Sequence, residues 1–281
     1  MSANAALQRV DEQGWRRGFA NLLSRENSEW WLRRRWLVRT ILWIAIVNGI
    51  MAAVMWTPKS QTTPPSASQE GSQQTINMDD PSIAGSLMYI LMGGLVTGIA
   101  VIIGMQGAVI DERKSGTAAW ILSKPVARSA FILAKLVSNA TASLLGMVIF
   151  QGAIAFILLT ARTGSAPALL PFAAGVCLLG LHLLFYLTLT LMLGTLFEER
   201  GPVIGIPLAS LIGAQLLLGI SPFLGQIMPW LIVIPPGQGF SLAMLAILGQ
   251  PLPTVTPIIA TALWIVIFVG VAIWRFEREE F

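Results

Sequence analysis

The chain has 281 residues, 55% of them hydrophobic and 11% charged, with a mean hydropathy of +0.72, whereas a soluble domain carries about 25% charge. This excludes a soluble globular or disordered protein, and the single cysteine, Cys177, excludes an internal disulfide framework. A net charge of +4 sits on short basic connections between apolar runs, which membrane insertion alone produces, so it calls for no nucleic acid.

The N-terminal stretch 14–36, GWRRGFANLLSRENSEWWLRRRW, places Trp15, Phe19, Leu22, Leu23 and Trp30 on one helical face among arginines. It is expected to lie flat on the inner leaflet, its aromatic face in the headgroup boundary and its arginines on lipid phosphates. The first apolar run is 37–56, and about 20 residues of helix suffice to cross the hydrocarbon core. A charged segment precedes it and a polar loop follows it, so it reads as an uncleaved span. The loop at 57–84, rich in Ser, Thr, Gln and Pro, has little to bury and is expected to be external.

Further spans are expected at 85–110, 136–161, 169–197, 203–220 and 254–274, giving an all-α integral membrane protein of six transmembrane helices in a single transmembrane domain over 1–281. Between the fifth and sixth, residues 221–253 are apolar but broken by Pro222, Pro229, Pro235, Pro236, Gly237 and Gly239. Prolines remove backbone donors, so neither half spans, and two short re-entrant or surface helices are expected. Sixteen of the eighteen Lys and Arg fall on one side of this map, leaving only Lys59 and Arg162 on the other. Both termini are therefore expected in the cytoplasm of a multi-pass inner or plasma membrane protein.

No Asp, Glu or Lys lies within these six spans, which argues against an ion-coupled carrier. His182, the only histidine, lacks companions for a metal site and reads as a hydrogen-bonding helix contact. Glu198 and Glu199 are followed at once by Arg200, Gly201 and Pro202, which does not suit an intramembrane protease. Neither Ser210 nor Cys177 has an acid or base to activate it, and no GxxxxGK[ST] loop is present. The chain is thus expected to carry no catalytic site, cofactor or metal of its own. Small residues at four-residue spacing, Gly94 and Gly98, Gly104 and Ala108, Ala209 and Gly213, mark candidate helix-packing positions.

The connection 111–135 between the second and third spans stands apart because it mixes charge with an amphipathic stretch. Asp111 and Glu112 suit the positive end of a short helix, Ala118 to Leu122 give it an apolar surface, and Pro125 stops it. Such a helix can fill a groove on a soluble partner. In this connection Glu112, Gly116, Thr117, Pro125, Arg128 and Lys135 follow in an order that resembles the type 2 family of ATP-binding-cassette exporter permeases, and the likeness extends to the leading amphipathic helix, the six spans and the broken segment before the last. The resemblance implies a coupling helix that docks on a cytoplasmic ATP-binding subunit dimer, with ATP and Mg bound on that partner, and a second permease copy beside this chain. It assigns ATPase coupling to Asp111, Glu112, Arg113, Lys114, Ser115, Gly116, Thr117, Trp120, Ile121, Leu122, Pro125 and Arg128. An alternative is a non-transporting scaffold or mechanical transmitter driven by the same ATPase; it shares these features.

Overall fold

The computed structural model describes residues 14–31, 34–57, 80–237 and 239–279, which are predominantly helical and contain no strand. The expected polar external loop falls, over 58–79, outside the described residues. A short 3-10 turn, Gly14–Arg16, leads to α1 (Phe19–Trp31) and α2 (Arg34–Trp56). Asp80 caps α3 (Pro81–Met105), its Oδ1 accepting from the Ser82 amide at 2.8 Å, while Pro81 occupies the first turn where no amide donor is needed. Then follow α4 (Ile110–Lys114), α5 (Thr117–Leu122) and α6 (Arg128–Leu144). A π-helical segment, Leu145–Ile149, joins α6 to α7 (Phe150–Thr163), which Gly164 closes in a left-handed conformation at φ 72°. The rest is α8 (Leu169–Leu196), α9 (Arg200–Ile212), α10 (Ala214–Ile220), α11 (Pro222–Ile227), α12 (Trp230–Val233), α13 (Leu242–Ile247) and α14 (Thr256–Glu277).

Four helical stretches among the described residues are long and apolar enough to cross a membrane: Pro81–Lys114, Arg128–Thr163, Leu169–Leu196 and Thr256–Glu277. A fifth forms if α9 and α10, bent by 59°, count as one span. The apolar part of α2, Thr40–Trp56, is shorter and is the remaining candidate for a sixth. The bend falls at Gly213, where a Cβ would meet the Ala209 carbonyl at 2.6 Å. Ala209 itself is exposed, so within this chain the Ala209–Gly213 pair marks a helix break and not a close helix–helix approach.

Apolar on every side, α8 is the centre of the bundle and packs against α3, α13 and α14. The broken segment forms three short helices, not two, and small residues seat them. At Gly94 of α3 a Cβ would lie 2.3 Å from Val233 Cγ1 of α12, and at Gly175 of α8 one would lie 2.3 Å from Ile247 Cγ1 of α13. Gly98 gives Leu211 of α9 the same room, at 2.8 Å. Gly104, in contrast, is exposed with no atom near its missing Cβ, and Ala108 packs at the edge of the core.

One core cluster joins α1, α5, α6 and α14 through Leu22, Ile121, Phe131 and Phe276, the last two rings stacked at 5.0 Å. The same cluster takes up part of the apolar face of α1. Its Leu22 is buried, Phe19 and Leu23 pack on the same core, and Trp30 Nε1 donates to Asn139 Oδ1 at 3.1 Å. The apolar face of α1 is covered by α6 of its own chain, because a ready protein surface removes apolar area as well as lipid does.

Candidate coupling site

The connection 111–135 lies at the end of the bundle where α1, the start of α9 and the C-terminal end of α14 converge, and its geometry follows from a glycine. Gly116 has φ 72°, a left-handed conformation costing an L-residue about 1–2 kcal/mol, and it separates α4 from α5. Its amide donates to the Arg113 carbonyl at 3.1 Å, and the Ser115 and Thr117 hydroxyls lie 2.8 Å apart across it. The Gly-Thr pair is therefore a corner that turns the chain sharply before a second short helix begins. After α5, Lys124 and exposed Pro125 form the return, and the Ala127 amide donates to the Arg17 carbonyl at 3.0 Å. Gly18, at φ 78°, brings the N-terminal segment so close that a Cβ would sit 2.9 Å from Val126.

Ion pairs fix this corner to three other elements. Lys135 is buried, its side chain 4% exposed, with Nζ at 2.9 Å from both Glu112 Oε1 of α4 and Glu26 Oε1 of α1. Asp111 accepts from Arg200 of α9 at 2.6 Å. Arg113 pairs with Glu279, and Arg128 donates to the carbonyls of Glu277, at 3.0 Å, and of Glu279. Buried charges persist only when paired and hydrogen-bonded. The Lys135 triad therefore locks α1, α4 and α6 into one body, and Asp111 and Arg113 extend it to α9 and the C-terminal end.

The apolar surface of α5 is divided. Ala118 and Ile121 are buried against the chain's own core, whereas Trp120 is 59% exposed with the Lys124 ammonium 3.6 Å above its ring. Ile121 thus holds the helix in place and is not free to fill a partner's groove, and the Leu122 side chain lies outside the described residues. Lys114, Ser115 and Gly116 are exposed, and Glu112, Arg113 and Thr117 are half-buried. Glu26, Arg200 and Glu279 escaped the sequence reading, although an acidic residue in a basic leading segment and a lysine flanked by Phe131, Ile132, Leu133, Leu136 and Val137 both signal partnered charge. His182 and Cys177 are not part of this site.

A family model for ABC-2 family transporter proteins matches residues 21–281, almost the whole chain. The chain belongs to the ABC-2 family of transporters. No individual curated protein is significantly similar to it. Membership makes this a multi-pass membrane protein of the permease type, and it implies association with an ATP-binding-cassette ATPase subunit. In this ABC-2 protein the ion-paired corner stands at the end of the bundle richest in Lys and Arg, opposite the short helices α11 to α13.

Proposed function

We propose that this ABC-2 protein is the permease subunit of an exporter, working as a pair with a second permease copy and a pair of separate cytoplasmic ATPase subunits. ATP and Mg bind on those subunits, and this chain performs no catalysis. In this reading α2 and the bent α9–α10 pair complete six spans, both termini are cytoplasmic, and 111–135 is the coupling segment. The observation that carries it is the exposed Trp120 on a short helix whose adjoining α4 is fixed by ion pairs to α6, α9 and the C-terminal end, with α1 joined through Lys135. A projecting aromatic on a rigid base transmits a push from a partner to the spans, as a rigid-body switch requires, whereas a pliant loop would absorb it.

The test is Trp120→Ala in the full chain coexpressed with its ATPase. Trp120 is mostly exposed, so insertion and thermal stability stay at wild-type level. Truncating an interface aromatic costs about 2 kcal/mol, roughly thirtyfold in affinity, so copurification of the ATPase falls and its turnover uncouples from the permease. Unchanged retention and ATP turnover would refute the coupling role.

A further inference from the structure

A second site lies on the flank of the bundle, where α2 runs beside α7. Leu37, Ile41 and Ile44 of α2 and Phe150, Ala153 and Ile154 of α7 line an apolar groove of about 340 Å³. Leu37, Ile41, Phe150 and Ile154 are exposed, so the groove opens outward from the protein. Two contacts pin its walls from beneath. At Gly146, in the π-helical segment, a Cβ would sit 3.0 Å from Thr40 Oγ1, and Asn48 Nδ2 donates to the Gln151 carbonyl at 3.4 Å. A groove between helices fixed in this way is preformed, which lowers the ordering cost of whatever fills it.

Charge at one end of the groove bears on what that is. Within α2 stand Arg34, Arg35 and Arg39 and no acidic residue. Residues three and four apart share a helix face, so Arg34 continues the line of Leu37, Ile41 and Ile44 toward the start of the helix. From Arg34 to Ile44 the helix rises about 15 Å, half of a hydrocarbon core of about 30 Å. An arginine thus stands at the headgroup level of a groove one leaflet deep. The apolar part of α2 begins only at Thr40, so its first turns approach the membrane carrying charge that the helix itself does not balance.

We propose that this groove holds an acyl chain of an anionic phospholipid whose phosphate lies against Arg34. Arginines near a bilayer surface attract anionic headgroups, and here the chain attached to that headgroup gains an apolar wall on each side. A zwitterionic lipid offers the same chain without the net charge. A span of a second copy would fill the groove, but the spans contain no Asp or Glu and would bring no anion to Arg34. The site rests on the part of the transport reading that sets α2 in the membrane, and on nothing about the ATPase.

The test is photolabelling of the full chain in phosphatidylcholine nanodiscs with phosphatidylglycerol or phosphatidylcholine carrying a diazirine on an acyl chain, followed by peptide mapping. The phosphatidylglycerol probe labels 37–44 and 150–154 about fivefold more than the phosphatidylcholine probe, the size expected of a single arginine at the surface. Both probes label α14 around exposed Leu263 and Val266 to the same extent. Arg34→Gln removes most of the preference, whereas Arg35→Gln, off the groove face, keeps it. Ala153→Trp, at an exposed position, fills the groove and lowers labelling of both segments by both probes, with α14 unchanged. Equal labelling by the two probes overturns the proposal, as does a preference that Arg34→Gln and Arg35→Gln diminish alike, or a pattern that Ala153→Trp leaves as it was. Absence of label from 37–44 with both probes overturns it too, and Ile41→Cys in a Cys177→Ser background then separates the causes. A disulfide-linked dimer puts a second copy over the groove, and reaction with a water-soluble thiol reagent takes α2 out of the membrane and the six-span reading with it. Should a variant fail to insert, the two probes on the wild-type chain decide the matter.

Discussion

Lys135→Met removes the one cation that two carboxylates share. In the native chain its Nζ lies 2.9 Å from Glu26 and from Glu112, with the three side chains 4%, 14% and 19% exposed. Methionine fills similar volume, so the change is electrostatic: Glu26 and Glu112 lose the cation they share in a largely desolvated site, and Glu112 Oε2 already lacks a hydrogen bond. Removing one member of a buried ion pair costs about 3–5 kcal/mol. For a chain of this size that is on the order of a 10 °C fall in the melting midpoint. Glu112→Gln leaves Lys135 paired with Glu26 and costs only about 1 kcal/mol. The triple variant Glu26→Gln, Lys135→Met, Glu112→Gln carries no charge at this position and recovers most of the loss, since replacing a whole buried ion-pair network by neutral groups is often near neutral. Thermal unfolding of the purified protein, followed by the monodisperse fraction on gel filtration, ranks these variants. A Lys135→Met midpoint within 2 °C of the wild type, about 1 kcal/mol or less, would show that α1, α4 and α6 are not joined through this residue; so would a triple variant no better than the single one.

Gly94→Ala places a methyl 2.3 Å from Val233 Cγ1, and overpacking of this kind costs about 1–3 kcal/mol; adding Val233→Ala makes room, so the double variant melts higher than the Gly94→Ala single, and additive losses would count against the notch. Gly116→Ala has no steric neighbour yet must hold φ 72°, so it lowers stability by about 1–2 kcal/mol while Gly116→Asn, which tolerates that conformation, loses less; equal losses would remove the backbone explanation. In a Cys177→Ser background, Gln250→Cys reacts with an impermeant thiol reagent added to sealed cells and Ser123→Cys does not, both positions being exposed; labelling of Ser123→Cys would reverse the membrane orientation inferred from the arginines and lysines.

The sequence made the long apolar helices legible because their length is a property of the chain alone, and the observed α8 and α14 lie within three residues of the runs read for them. The single short helix read from Asp111 to Leu122 is instead two, α4 and α5, because Gly116 turns the chain in a left-handed corner that an apolar pattern does not reveal. What pattern could not settle was which surface covers each apolar face. The face of α1 suits lipid and α6 equally, and only the position of α6 decides that Leu22 is buried in protein. In α5, six residues make fewer than two turns, too short for a period to separate an inward from an outward side; Ile121 faces the core and its neighbour Trp120 does not. The charge pairs lay further out of reach, because Glu26 and Lys135 are 109 positions apart and Arg113 and Glu279 are 166.

Those distant pairs bear on why a corner so short can act on a bundle so large. A two-helix corner of twelve or so residues has too little buried area of its own to hold a fixed shape, by the same argument that makes isolated short helices marginal. Ion pairs to α6, α9 and the C-terminal end supply directional constraints at three points, and Ile121 adds a fourth by burial. Displacing Trp120 relative to this base would unseat Ala118 and Ile121 from the core, whereas moving the corner together with α1, α6, the start of α9 and the end of α14 breaks none of the charge contacts. The low-cost motion is therefore collective, and a force applied at Trp120 reaches α6 and α14, which begin or end within the same ion-paired cluster.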